Sequence, residues 1–263
     1  MRNIKLVIEY DGTNYHGWQV QPDVVTVQQV IEEKLEIMTR QRTALIGSGR
    51  TDSGVHALGQ VANFRTAARI PVEGFVKGLN SLLPPDIAIQ SAEEVDLQFH
   101  SQYGARRKTY RYVILRRESP SPLFRRYSWR VREPLDLPGM EEAARCLLGR
   151  HDFTSFQGAD ADTGDPVREV FRAGWSEEPT GFLHFTIEAD GFRIGILIEI
   201  ALVELRTLFR IKVLVWVCQT NRRILIQFRC LWIRHLTEIV IINHAPLLTV
   251  SLKTPRPTPQ TLP

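Results

Sequence analysis

Gly49-Arg50-Thr51-Asp52-Ser53-Gly54-Val55-His56-Ala57 is the stretch around which the rest of the chain is arranged. It is short, polar and bracketed by glycines. It lies between a helical apolar pattern that runs to Met38 and a strand-like run from Gln60 to Phe64, so it reads as a loop. Glycine lets the backbone turn sharply and lets a ligand come close, which allows the Asp52 carboxylate to face a cleft. Arg50, two residues earlier, is near enough to keep that carboxylate ionised and oriented. The plainer alternative is an Asp bonded to the amides of its own turn, beside a solvent-facing Arg.

On the N-terminal side, Ile4, Leu6 and Ile8 alternate with Lys5, Val7 and Glu9, the period of a strand. Asp11-Gly12-Thr13-Asn14 is turn chemistry. Thr26, with Gln29 three residues on, opens a helix in the manner of a capping box, and Val27, Val30, Ile31, Leu35 and Met38 form its core-facing stripe. Beyond the loop, Pro71 opens a second helix with Phe75, Val76, Leu79 and Leu83 on one face, and Pro84-Pro85 stops it. Asp86 to Val95 resumes the extended alternation. This β-α-β-α-β order predicts an α+β half with helices packed on one sheet.

Tyr103 to Leu115 is expected to be a long strand, with Tyr110, Tyr112 and Ile114 on one face and Thr109, Arg111, Val113 and Leu115 on the other. Arg125, Arg126, Arg130 and Arg132 enclose Tyr127 and Trp129 in a basic, aromatic segment. A third helix is predicted over Pro138 to Gly149, and strands near Arg168 to Trp175 and Gly181 to Ala189. The strand-helix-strand rhythm of the first half is thus repeated, without sequence self-similarity. The expected organisation is an N-terminal half over 1–102, a C-terminal half over 103–192, and a tail over 193–263.

The chain has 263 residues, 43% hydrophobic and 24% charged, proportions of a soluble globular protein with a substantial core. Cys146, Cys218 and Cys230 make neither a paired framework nor a metal spacing, and the N-terminus lacks the apolar core of a signal peptide. Both point to a reducing, cytoplasmic setting. The net charge of +4 is unevenly placed. Ten basic and three acidic residues from Arg193 onward give that segment +7 and leave residues 1–192 at −3, so affinity for RNA must come from local patches. After Asp190-Gly191-Phe192 no Asp recurs, Gly195 is the only glycine, and Ile, Leu and Val crowd the chain to Ile242. No window offers about 18 uninterrupted apolar residues, and Glu199, Glu204, Arg206, Arg210 and Lys212 interrupt the longest stretch, so no membrane span is expected. The Pro-rich end, Thr254 to Pro259, is expected to be disordered.

The signature loop, Glu9-Tyr10-Asp11-Gly12, Gly17-Trp18-Gln19, Tyr110-Arg111-Tyr112 and Asp152-Phe153-Thr154-Ser155-Phe156 follow one another as the corresponding pieces do in the TruA family of tRNA pseudouridine synthases. The chain resembles that family over residues 1 to about 192. The resemblance implies a mixed α/β, α+β pseudouridine synthase fold: two similar strand-helix halves forming a mixed, largely antiparallel sheet with an RNA-binding cleft. It implies that the chain isomerises uridine to pseudouridine in the anticodon arm of tRNA, at positions 38 to 40, without a cofactor, and as a homodimer embracing one tRNA. It also assigns Asp52 as the essential carboxylate, Tyr110 as the ring that stacks on the target uracil, and Arg50 as the partner of Asp52 or of the flipped nucleotide. After Gly-Phe the family continues with a basic helix carrying an Arg near its middle. Here the sequence reads Arg193-Ile194-Gly195-Ile196-Leu197-Ile198, as a frameshift or junction near Phe192 would produce.

Three further readings stay open. Arg106, Arg107, Lys108, Arg111, Arg116, Arg117, Arg125 and Arg126 form either a phosphate-binding face or a solvated strand edge. The altered segment after Phe192 admits a catalytically impaired relic that still binds RNA. An Asp-dependent glycosidase would need a second carboxylate about 5–9 Å from the first, and the loop offers none. His56 and His151 stand at no metal spacing, and Phe153 and Phe156 read as core beside a turn.

Overall fold

The computed structural model describes residues 1–154, 165–191, 218–220 and 223–225. The expectations for the tail therefore lie outside the described residues, apart from a short hairpin noted below. The fold is mixed α/β and carries its strands in separate sheets.

The first sheet contains β1 (Arg2–Tyr10), β2 (Ile46–Gly47), β3 (Ala57–Thr66) and β4 (Ile87–Val95) in the order β2-β3-β1-β4, with every pairing antiparallel. Helices α1 (Val27–Thr39) and α2 (Val72–Leu82) fill the connections. The period-2 pattern of β1 sends Ile4, Leu6 and Ile8 into the core, where they join Ile31 and Leu35 of α1 and Phe75 and Leu79 of α2. Phe64 and Phe75 meet edge to face at 5.3 Å. Thr26 caps α1 through Oγ1, which accepts from Gln29 N at 3.4 Å. The Gln29 side chain turns instead to Glu33, so only half of the expected capping box is made. The strand expected over Gln60 to Phe64 is longer at both ends, because β1 pairs with it from Ala57 to Thr66.

The second sheet contains β5 (Lys108–Arg116), β6 (Trp129–Val131), β7 (Gly149–Asp152), β8 (Val167–Glu177) and β9 (Phe182–Ala189), in the order β6-β5-β9-β8-β7. Only β5 and β6 run parallel. Helix α3 (Leu137–Arg145) packs on this sheet through Met140 and Ala144. Strand β5 starts at Lys108 rather than Tyr103, because Ser101 to Gly104 form a turn. Helix α3 ends four residues earlier than expected, and Gly149 opens β7 with φ +95°. A separate hairpin joins β10 (Cys218–Thr220) to β11 (Arg223–Leu225).

A buried polar network fixes the chain where it leaves the first sheet. Asn63 Nδ2 donates to Asn3 Oδ1 at 2.9 Å, Asn3 Nδ2 donates to the carbonyls of Asp96 and Phe99, and Ser101 N donates to Asn63 Oδ1 at 2.9 Å. Ser101 Oγ also donates to the Ile46 carbonyl. Each buried amide is thereby satisfied, as burial in a low-dielectric interior requires.

Candidate active site

The signature loop lies in a bed made by residues 10–18. Trp18 N donates to Thr51 O at 2.8 Å, Gly54 N donates to Tyr15 O at 3.2 Å, and the Tyr10 hydroxyl is 2.9 Å from Thr51 Oγ1. Gln60 Nε2 holds the start of the loop by donating to Gly49 O at 2.8 Å. The approach is close enough to demand glycine at two places. A Cβ on Gly12 would stand 1.9 Å from Val55 O, and one on Gly17 would stand 2.2 Å from Thr51 O, at a φ of +86°. Two stretches that match the family as separate motifs are thus the two sides of one packed unit.

Asp52 is half-buried at the tip of this unit, where Val55 N turns back to its carbonyl at 3.3 Å. Its negative charge is felt at Tyr10, whose hydroxyl is pushed well above the usual range, first by burial and then by that charge, against the hydrogen bond to Thr51. Arg50 is exposed and takes no part in the ion pairs of the described residues.

Val55 leaves the loop and enters the core of the second sheet, in one apolar cluster with Tyr110, Tyr112, Phe153 and Phe185. Three motifs distant in sequence (the loop, the β5 tyrosines and Asp152-Phe153-Thr154) therefore converge. Tyr110 is fully buried and Phe153 is 2% exposed. Asp152 Oδ1 accepts from Thr154 N at 2.9 Å, the core-plus-turn arrangement expected of that motif, although Ser155 and Phe156 lie outside the described residues. Burial alone drives the Tyr112 hydroxyl well above its ordinary range.

His56 makes a second bridge, one that sequence reasoning left unassigned. Its Nε2–H donates to the Arg126 carbonyl at 2.9 Å. Its Nδ1 meets both the Gly12 amide at 3.2 Å and Asp11 Oδ1 at 2.9 Å. A bare Nδ1 accepts from Gly12, whereas a protonated one donates to Asp11. Burial holds the imidazole below its ordinary value and outweighs the pull of Asp11 and the Arg126 carbonyl, so the neutral ring and the Gly12 bond prevail near neutral pH. The Tyr127 hydroxyl donates to Asp11 Oδ2 at 2.7 Å, and its ring lies 5.1 Å from the imidazole. Burial raises the Asp11 carboxyl, but hydrogen bonds from Thr13 and Tyr127 and the nearby His56 bring it below its usual range. The signal was available in the sequence, since Asp11-Gly12 and Val55-His56 both sit inside family motifs.

The basic patch divides. Arg107 pairs with Glu188 at 2.8 Å and lies over Phe171, and Arg116 pairs with Glu177. Burial and neighbouring cations lower Lys108 and Arg111. Arg106, Arg117, Arg125 and Arg126 are exposed. Among the described residues no cluster of His, Cys, Asp or Glu is arranged to hold a metal ion, and no helix is long and apolar enough to cross a membrane.

A family model described as tRNA pseudouridine synthase matches residues 6–104 and 143–194. The chain belongs to the tRNA pseudouridine synthase A (TruA) family. Relatives named tRNA pseudouridine synthase A bear this out. That of Thermoanaerobacter sp. (strain X514) is 45% identical over 192 residues, covering 73% of this chain and 78% of its own. That of Acetivibrio thermocellus is 43% identical over 213 residues, 78% of this chain and 87% of its own. That of Geobacter sp. (strain M21) is 47% identical over 192 residues, 73% and 77% of the two chains. A crystal structure of a Cbf5-Nop10-Gar1 complex is similar at 12% identity and a TM-score of 0.30, over 74% of this chain and 53% of that one, too slight a likeness to bear on the fold. The pseudouridine synthase match stops at residue 194, beside the change of character at Phe192.

Proposed function

We propose that this chain isomerises uridine to pseudouridine in tRNA, with Asp52 as the essential carboxylate. The reaction breaks the N1–C1′ bond, turns the uracil, joins C5 to C1′ and finally releases the C5 proton while N1 regains one. No net redox change or external energy is needed. The Asp52 anion either attacks C1′ or takes a proton from the sugar, and both routes require the ionised form. Tyr110 stacks on the uracil while the glycosidic bond is open. Its ring is fully enclosed in the free chain, so a neighbour withdraws as the flipped nucleotide enters. Arg50, exposed at the loop, contacts that nucleotide or swings to Asp52. The target uridines are those of the anticodon arm, and residues 1–102 and 103–192 form the two walls of the cleft. The chain acts in the cytoplasm as a homodimer.

The observation that supports this reading is the burial of Val55 with Tyr110, which sets the Asp52 loop against the strand that carries the tyrosine. The test is release of tritium from tRNA labelled at uracil C5. Asp52→Asn should abolish release while leaving tRNA binding within about threefold; undiminished release would overturn the assignment.

A second reading follows from the end of the family match at residue 194. Without the family's basic helix and its Arg, the chain retains tRNA binding but turns over weakly. Background-level release by the unmutated chain, with tRNA still bound, would favour it.

A further inference from the structure

Among the described residues, the signature loop meets the second sheet's part of the chain through two contacts. One is the apolar seat of Val55, the other a polar clasp at the 121–128 turn. That turn is anchored to the second sheet by Phe124, whose ring meets Phe182 of β9 edge to face at 4.9 Å. It is closed internally by Ser128 N and Tyr127 N, which both donate to Phe124 O. On its other side, Arg126 O receives His56 Nε2–H, and the Tyr127 hydroxyl reaches Asp11. His56 is 4% exposed and Tyr127 39%, so the clasp is dry at the imidazole and wet at the phenol. Every polar atom of the imidazole is engaged, one nitrogen on each part of the chain.

We propose that His56 is a positioning residue that sets the separation between the Asp52 loop and the 121–128 turn, and so registers the carboxylate on the sheet that carries Tyr110. The role rests on the function proposed above, because it acts on the same carboxylate. His56 touches no reacting atom. It works through the Arg126 backbone, which no side-chain substitution at Arg126 removes. A misplacement of about 1 Å at a reacting group can cost on the order of 100-fold in rate, so loosening the clasp should be read in the chemical step.

The experiment uses the full chain with single-turnover tritium release at saturating tRNA, tRNA binding, and hydrogen exchange of the amides in 49–57 and 121–128. His56→Ala should slow the chemical step about 10–100-fold, leave tRNA affinity within about threefold, and speed exchange in both segments together. His56→Gln, which restores a donor near the Nε2 position, should recover most of the rate. His56→Asn, which places its amide near Nδ1, should not. Tyr127→Phe, at an exposed site that tolerates the change, should loosen the 121–128 amides without unfolding the chain. Unchanged rate in His56→Ala, a change confined to affinity, better rescue by Asn than by Gln, or faster exchange in the loop alone would each overturn the proposal. If the unmutated chain binds tRNA but forms no pseudouridine, the functional reading fails and joint exchange of the two segments decides the clasp by itself.

Discussion

Val55, 3% exposed, is packed into the same apolar cluster as the fully buried Tyr110. The loop that presents Asp52 is therefore seated by a hydrophobic side chain that belongs spatially to the other sheet. Val55→Ala should cost about 1–3 kcal/mol of stability from lost burial and the residual cavity, and should also reduce pseudouridine formation. Urea denaturation and single-turnover assays on the same preparation check both effects; a stability loss with full activity would show that the seat does not position the acid.

The hydroxyls of Tyr10 and Thr51, both buried, form one hydrogen bond at 2.9 Å. Tyr10→Phe leaves the Thr51 hydroxyl without it, and Thr51→Val leaves the phenol without it. Each should cost about 1–3 kcal/mol, the penalty of orphaning a buried polar group. The double variant should cost less than the sum, since both partners are then gone. A thermodynamic cycle from denaturant midpoints measures the coupling.

Gly17 combines a left-handed φ with a Cβ position 2.2 Å from Thr51 O. Gly17→Ala meets backbone strain and a clash with backbone that has no flexible end to yield. A loss of more than about 2 kcal/mol is expected, together with faster hydrogen exchange at Thr51 and Asp52. Stability within about 0.5 kcal/mol of the parent would show that the loop bed gives way freely.

His56 contributes a pH dependence of known sign. The folded chain holds its pKa below 6.5, so in the window just under 6.5 the unfolded chain binds a proton that the folded chain does not. Stability therefore falls as pH drops through that window. Asp11 acts lower down. Its depressed pKa stabilises the fold above about 3.9, and that contribution is lost as pH falls through the folded value. His56→Gln should flatten the slope below 6.5, as read from urea midpoints between pH 5 and 8, and should weaken the acid limb of Asp11, which loses the pull of the imidazolium, as read from urea midpoints between about pH 2 and 4.

Much of the first sheet was legible because its signals are local. Ile4, Leu6 and Ile8 alternate, and Thr26 caps its own helix, so the periods and the cap specify β1 and α1 without help. Strands β6 and β7 are too short to show a period, and Trp129–Val131 is masked by the arginines around it. The candidate residues could be picked out by motif order, but their seating could not. Val55 reads as one more apolar residue and His56 as a lone histidine until the fold brings Tyr110 and Arg126 to them. Such contacts are set by tertiary packing, which propensity and spacing do not encode.

The Asn3–Asn63–Ser101 network has a mechanical corollary. With Ser101 pinned and β5 beginning at Lys108, residues 102–107 are the short strap that carries the chain from one sheet to the other. The Arg126 carbonyl that His56 holds is a second tether between the same two parts, far along the chain from that strap.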